Sequence, residues 1–382
     1  MSTTLRADDL LKRASAVANY YGFSSLSSVA AFKKSSSRAP YPDGFVLEGL
    51  DPVAREVAGF FKHVRDTGLA PTTAQPLFLW HTNAAPGRPA PKQVIIQFHA
   101  LGSDRAIADA VLIRAVRAFM QDFSKTELRL RLNSMGDRET RSRFARELTS
   151  FFRRHSAALP PDCVDCAKRD VMEAAQMLAN SESDSLPSPT DHLSESSRKH
   201  FEAVLEYLEN TDTPYELSPG LLSRGTTWTE TCFEVSGEGH TEGQMYAWGS
   251  RYQELTKLFF KGHTPGMGAV IRINMDSREQ ISPVKAPTAP RFFFVHIGDE
   301  AKRVSMMMAD DIRRARIPLS QSIGIESLTE QMRYVETANP RYVLIMGRKE
   351  ALERNVILRE RATHTEVSIP LDSLIARLKI VA

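Results

Sequence analysis

Between Ala7 and Tyr21 the apolar residues Leu10, Leu11, Ala14, Val17 and Ala18 recur at intervals of three and four, the period of one helical face. A second such face, Val53, Val57, Phe60, Phe61 and Val64, runs from Pro52 to Thr67, and Pro52 suits a first helical turn. Ser35 to Pro40 is a turn-rich connection between the two. The texture then changes. Pro76–His81 and Lys92–Phe98 are short apolar runs separated by the Pro- and Gly-rich stretch Asn83–Pro91, which predicts two antiparallel strands joined by a turn. Helical spacing returns at Ile107–Asp122 and Arg138–His155. Between them Leu128, Leu130 and Leu132 alternate with Arg129 and Arg131, the period-two mark of a half-buried strand. His192–Asn210 reads as a helix, and Thr227–Val235 and Gly243–Trp248 as strands.

Ser181–Pro189 is a Ser-, Asp- and Pro-rich loop, and Ile281–Pro290, with three prolines, reads as a linker. After it the pattern becomes regular. Strands are expected at Arg291–Ile297, Ile317–Ile323 and Tyr342–Met346, with helices at Glu300–Ala315 and Ser327–Ala338 between them. A hairpin of Val356–Arg361 and Thr365–Ile369 and a last helix at Leu371–Leu378 close the chain. Strands alternating with helices predict a small α/β domain. The expected organisation is therefore a core over 1–280 with a helical insertion near 150–200, a linker at 281–290, and a second domain over 291–382.

Composition adds limits. Of 382 residues, 42% are hydrophobic and 25% charged, enough to bury a globular core. A net charge of +3 is compatible with a nucleic-acid partner without indicating one. Three cysteines, Cys163, Cys166 and Cys232, argue against a disulfide framework and for a reducing compartment. No run approaches the roughly 18 apolar residues of a membrane span, and Met1 to Arg13 has no secretory pattern. A cytoplasmic location and no membrane partner are expected.

Cys163 and Cys166 supply two of the four ligands a tetrahedral zinc site needs, and only His155 and His192 stand nearby. The pair reads as a helix-end turn, and no metal site is expected. Arg138, Arg141, Arg143, Arg146, Arg153 and Arg154 share one helix. They suit RNA phosphates or a solvated face equally well, because Glu139 and Glu147 interleave them. His99 with Glu234 as partner could act as a base, although a lone strand histidine is more often structural.

The segment 291–382, through Phe294–Gly298, Ser327–Val335 and Tyr342–Gly347, resembles the anticodon-binding domain shared by the histidine, glycine, threonine and proline tRNA synthetases. Leu130–Gly136, Ser223-Arg224-Gly225 with Thr231–Glu234, Gly249–Tyr252 and Thr264–Gly268 resemble segments of the histidyl-tRNA synthetase core. The resemblance implies a class II synthetase-like α+β core, an antiparallel sheet with flanking helices, followed by an α/β anticodon-binding-like domain. Carried over residue by residue, it makes Arg224 the candidate catalytic cation. It places His99, Gly225, Glu234, Arg251 and Tyr252 in the substrate pocket. Arg303, Arg313, Arg314 and Arg316 in the C-terminal segment suit RNA phosphates or a solvated face equally by charge pattern, and Arg303, Arg313, Arg314 and Arg333 are taken as the RNA-binding candidates. The resemblance also implies a homodimer formed through Leu10–Ser27 and a tRNA or other structured RNA as partner.

Several family features are missing. Adenylate formation brings a carboxylate to an ATP phosphate, so the site needs fixed cations. The motif 2 region, Trp80–Gln93, holds Arg88 but no Phe-Arg-x-Glu pattern. Where the family ends motif 3 in Glu-Arg, this chain has Asn274-Met275. Arg272 comes three places early, which on a helix would turn it by about 60° from the expected direction. A family Gln and Glu that read the substrate histidine are matched by Ile95 and His99, ahead of Ala100-Leu101-Gly102-Ser103. The counterpart of the family's Arg-Pro-Glu-x-Thr stretch is Leu47–Pro52. The expectation is a non-catalytic, RNA-directed binding or regulatory protein with no cofactor. The alternatives are a divergent histidine–tRNA ligase using ATP and Mg, and a regulatory subunit of histidine biosynthesis.

Overall fold

The computed structural model describes residues 7–30, 41–43, 45–48, 50–85, 92–123, 127–179, 186–222, 227–237, 245–260, 264–275 and 290–381. Among these, the first part of the chain forms an eight-stranded sheet. Its strands are β1 (Ser24–Ser25), β2 (Leu77–Thr82), β3 (Gln93–Leu101), β4 (Leu128–Ser134), β5 (Glu216–Leu217), β6 (Thr229–Gly237), β7 (Met245–Arg251) and β8 (Gly266–Asn274). Their order across the sheet is β1-β2-β3-β8-β7-β6-β4-β5, antiparallel from β2 to β4 and parallel only at the two short edges. Mixed α/β architecture around a largely antiparallel sheet is what the resemblance implied.

Strand side chains alternate between faces, and the two faces differ. On the back, Val94, Ile96, Phe98, Met267, Ala269, Ile271 and Phe233 pack with the helix Ala106–Gln121 in one apolar cluster. That helix is buried nearly all round because helices Ala7–Tyr21 and Glu195–Glu209 cover its outer side. On the front, the helix Pro52–Asp66 lays Val57, Phe60, Phe61 and Val64 against Leu79, Ile95, Leu101, Tyr252 and Val270. Asp51 starts it by accepting hydrogen bonds from the backbone nitrogens of Val53 and Ala54, at 2.9 and 3.0 Å, and thereby satisfies two of the donors a helix start leaves open.

The second sheet is β9 (Phe292–His296), β10 (Leu319–Gln321), β11 (Tyr342–Met346), β12 (Asn355–Glu360) and β13 (Glu366–Pro370), in the order β10-β9-β11-β12-β13. The first three strands are parallel and the last two form the expected hairpin. The two sheets' domains meet through polar groups, some buried and some at the surface. The Tyr20 hydroxyl donates to Ile317 O at 2.8 Å. Arg114 donates to Met306 O at 2.6 Å and to Asp310 at 2.8 Å. Arg105 pairs with Asp299 at 2.5 Å.

Some expectations change. The motif 3-like segment is strand β8, not helix, so Arg272 is displaced along a strand and the helical rotation argument fails. Alternating apolar positions and cross-strand partners on both sides explain the strand. Cys163 and Cys166 lie inside a short helix, Pro161–Ala167, buried and free, rather than in a turn. The helix Val171–Ala179 falls in the helical insertion expected near 150–200, and the helix Gln253–Phe259 was not anticipated. The helix expected at His192 begins at Glu195, where Ser194 accepts a hydrogen bond from Ser197 N at 3.2 Å. The linker expectation at 281–290 falls outside the described residues except for Pro290, and the 181–189 loop is described only from Leu186.

Candidate functional site

The front of the large sheet collects the polar side chains. Register places them in rows across the strands. His99 on β3 faces Gly268 on β8, and Gly268 faces Ser250 on β7. The next row is Gln97, Val270, Trp248, Glu234 and Arg131, one from each of β3, β8, β7, β6 and β4. The third begins Ile95, Arg272, Tyr246. Sequence reasoning did not single out Gln97 or Phe60. Gln97 was legible, because strict alternation puts it on the same face as Ile95 and His99.

His99 has no exposed surface. Phe60 stacks on its ring at a centroid distance of 3.8 Å and an angle of 12°. Its Nδ1 lies 2.8 Å from the Tyr252 hydroxyl, and its Nε2 lies 3.0 Å from the Gln97 side-chain amide at Oε1. Burial, with His81 adding to it, holds the imidazole well below its usual pKa, so it is neutral near pH 7. A neutral imidazole has one N–H. The Gln97 oxygen can only accept, so Nε2–H donates to it and Nδ1 accepts from the Tyr252 hydroxyl, whose oxygen also lies 2.7 Å from Met267 O.

Glu234 sits on the same face but is engaged. It accepts hydrogen bonds from Arg131 Nε at 2.9 Å and from the Tyr246 hydroxyl at 2.7 Å. Glu234 and His99 are separated by the intervening strands and do not form a pair. Arg272 is half-buried and makes no ion pair among the described residues. Arg251 was expected in the pocket; the structure puts it on the back face. Its guanidinium holds Asp109 at 3.0 and 2.5 Å and donates to the carbonyls of Ser103 and Arg105 at 3.1 and 3.2 Å. Burial pushes the Asp109 carboxyl up, but Arg251 and His200 outweigh it and hold it below the usual range. Tyr252 is fully buried beneath His99. Arg224, Gly225 and Arg88 lie outside the described residues.

The four C-terminal RNA-binding candidates all have carboxylate partners. Arg303 meets Glu206 at 3.0 Å and lies over the Tyr207 ring at 5.4 Å. Arg313 meets Asp122 at 2.8 Å. Both bridge the two sheets' domains. Arg314 and Arg333 pair with Asp311 and Glu330 on their own helices, at 3.6 and 3.0 Å, and are exposed. Among the described residues, no group of three or more His, Cys, Asp or Glu is placed to hold a metal ion. No helix among them is long and apolar enough to cross a membrane.

Comparison with known proteins gives these similarities. Residues 291–380 match the family described as Anticodon binding domain. A histidine–tRNA ligase of Dehalococcoides mccartyi is 27% identical over 289 residues, covering 74% of this chain and 69% of its own. One of Caldanaerobacter subterraneus is 25% identical over 287 residues, covering 73% and 68%. Among solved structures, apo Staphylococcus aureus histidyl-tRNA synthetase aligns with 99% of this chain and 98% of its own at 19% identity and a TM-score of 0.49. A Bacillus halodurans ATP phosphoribosyltransferase regulatory subunit/histidyl-tRNA synthetase aligns with 91% and 97% at 14% identity and a TM-score of 0.42. The chain is similar to histidine–tRNA ligases over about three quarters of its length; it has a mixed α/β core built on an antiparallel-rich sheet, and its segment 291–380 matches the anticodon-binding domain.

Proposed function

We propose that this chain is a non-catalytic relative of the histidine–tRNA ligases that binds tRNA or another structured RNA, or regulates through such binding. The observation that carries this reading is the state of His99. Where the resemblance leads one to expect a carboxylate that engages the amino acid, the chain has a neutral, fully buried imidazole whose two nitrogens are both satisfied from within. Ile95, at the other matched position, offers no polar atom. An ammonium brought there would be desolvated without an anionic partner, at a cost of several kcal/mol.

The cation supply supports the same reading. Arg131 is committed to Glu234, and Arg272 is the remaining described arginine in the front-face rows. Groups that stabilise an adenylate act as a unit, so a partial set loses far more than its share of rate. The anticodon-binding match at 291–380 supports an RNA partner and weighs against a regulator of histidine biosynthesis. A homodimer belongs to the reading. The helix Ala7–Tyr21, which should form it, is also engaged within the chain by helix Ala106–Gln121 and β10. Light scattering at micromolar concentration tests it, and a monomer would remove the dimer from the reading. A cytoplasmic setting is part of the same proposal.

Divergent but active ligase is the second reading, favoured by relatives named as ligases that match over about three quarters of this chain. Histidine-dependent ATP–pyrophosphate exchange with total tRNA present, and an Arg224→Ala control, separates the two. No exchange, together with salt-dependent tRNA binding, is the expected result. Exchange that the control abolishes would make the chain a ligase.

A further inference from the structure

The helix Asp299–Arg314 of the second domain meets the core along one face. Asp299, Arg303, Met306, Asp310 and Arg313 recur at intervals of three and four, so their side chains share that face. Asp299 pairs with Arg105 at 2.5 Å, Arg303 with Glu206 at 3.0 Å and Arg313 with Asp122 at 2.8 Å. Met306 is buried in the apolar cluster of the large sheet. Asp310 stands at the centre. Arg114, 3% exposed, holds it at 2.8 Å, and the buried Tyr21 hydroxyl donates to it. The two domains also exchange apolar side chains. Ile323, just past β10, is buried in the large sheet's cluster, and Tyr20 packs against that of the small sheet. Glycines let the backbones approach: a Cβ on Gly22 would lie 2.8 Å from Gln321 O, and one on Gly324 would lie 2.0 Å from the Phe78 ring.

This fitted contact spends cations. Two of the four arginines taken as RNA-binding candidates, Arg303 and Arg313, lie on the docked face, and each is opposed by a carboxylate of the core. A phosphate brought to either arginine would stand beside Glu206 or Asp122 and be repelled by it. We propose that the seam is an autoinhibitory latch: Asp310 fastens the second domain to the core, and while it is fastened Arg303 and Arg313 are withheld from a polyanionic RNA. The inference rests on the RNA-binding reading and deepens it, because it names what regulates that binding. Asp310 is the fastening because removing one member of a buried pair leaves the other charged and uncompensated. Without it Arg114 is stranded inside the seam, and separation of the domains returns that guanidinium to water.

The test uses the full chain with Asp310→Ala. Small-angle scattering and urea unfolding read the seam, and binding of total tRNA across a salt series reads the arginines. Glu202→Ala matches the change in charge, since Glu202 is exposed and has no ion pair among the described residues. The Asp310→Ala chain is expected to expand and to unfold in two transitions where wild type unfolds in one. It should bind tRNA about tenfold more tightly, with a plot of log Kd against log salt steeper by about two, roughly one for each arginine released. Adding Arg303→Ala and Arg313→Ala should return affinity and slope to the wild-type values. A variant that stays docked overturns the proposal. So does one that opens yet binds tRNA no better, or a gain that Glu202→Ala reproduces. Should Asp310→Ala fail to fold, Glu206→Gln with Asp122→Asn, which uncovers the two arginines and keeps Asp310, carries the same salt series and should steepen the slope; an unchanged slope overturns the proposal. If neither wild type nor variant binds tRNA, the RNA reading falls and this one with it, whereas wild type that binds as tightly as the variant sinks only this one.

Discussion

The two faces of the large sheet carry similar chemistry and use it differently. Each has a charged pair: Arg251 at the end of β7 with Asp109 of the helix Ala106–Gln121 on one face, and Arg131 on β4 with Glu234 on β6 on the other. On the back, Arg251 and Asp109 are 1% and 0% exposed and further held by His200 and two backbone carbonyls. On the front, Arg131 and Glu234 pair with 35% of the arginine side chain exposed, beside Arg272, which pairs with nothing described. A sealed pair surrounded by helices is committed to the fold. A half-open pair beside an arginine with no ion-pair partner among the described residues is less committed to the fold.

This contrast can be broken most forcefully at its sealed end. Asp109→Ala leaves Arg251 charged and buried and should cost about 3–5 kcal/mol in urea unfolding. Arg272→Ala on the front should stay within about 0.5 kcal/mol. Equal losses would dissolve the distinction between the faces. Next comes the cradle of Phe60, Gln97, Tyr252 and Gly268 packed around the buried His99 ring. Gly268→Ala forces a methyl into His99 and Tyr252 and should cost about 1–3 kcal/mol, as overpacking does. A neutral result would mean that the cradle has slack.

Acidity sharpens the comparison between buried histidines. His81 is lowered to about 4, by burial and then by His63, and His296 to about 3, by burial and then by Lys302. Unfolded histidine titrates near 6.5. Below that pH the unfolded chain takes up protons that the folded chain refuses, so stability is fully present above about 6.5 and is lost as pH falls toward the folded values. Each group contributes a slope of up to about 1.4 kcal/mol per pH unit in that window. Asp109 and Asp310, both held below the usual range, extend the loss in the same direction at lower pH. Denaturation midpoints flat from pH 7 to 5 would contradict the buried, neutral state of these rings. The smallest effect is expected at the surface, where Arg333→Ala removes an exposed pair with Glu330 and should change stability by less than about 1 kcal/mol.

The RNA-binding candidates show where reading charge from a sequence stops. Arg303, Arg313, Arg314 and Arg333 stand out as cations in the C-terminal domain, but nothing local tells which are spent. Arg313 is neutralised by Asp122, and Arg303 by Glu206, residues far away in the chain. A salt-dependence series of tRNA binding with Arg303 and Arg313 changed to alanine would read mainly the domain junction, not phosphate contacts.

What the sequence determined by itself was whatever repeats at short range. Helix Ala7–Tyr21, strand Tyr342–Met346 and the hairpin of β12 and β13 are local patterns, since side-chain direction follows the backbone period. The placement of His99 and Ile95 on one face followed from the same alternation. Tertiary structure alone decided the rest. β8 was mistaken for a helix because its strand character is fixed by partners on β3 and β7. Arg251 was assigned to the wrong face because facing depends on register and on Asp109, contributed by a distant helix. The filling of the cradle needs Phe60, Gln97, Tyr252 and Gly268 together, and only chain folding, which turns distant sequence positions into van der Waals and hydrogen-bond neighbours, brings those four residues to one ring.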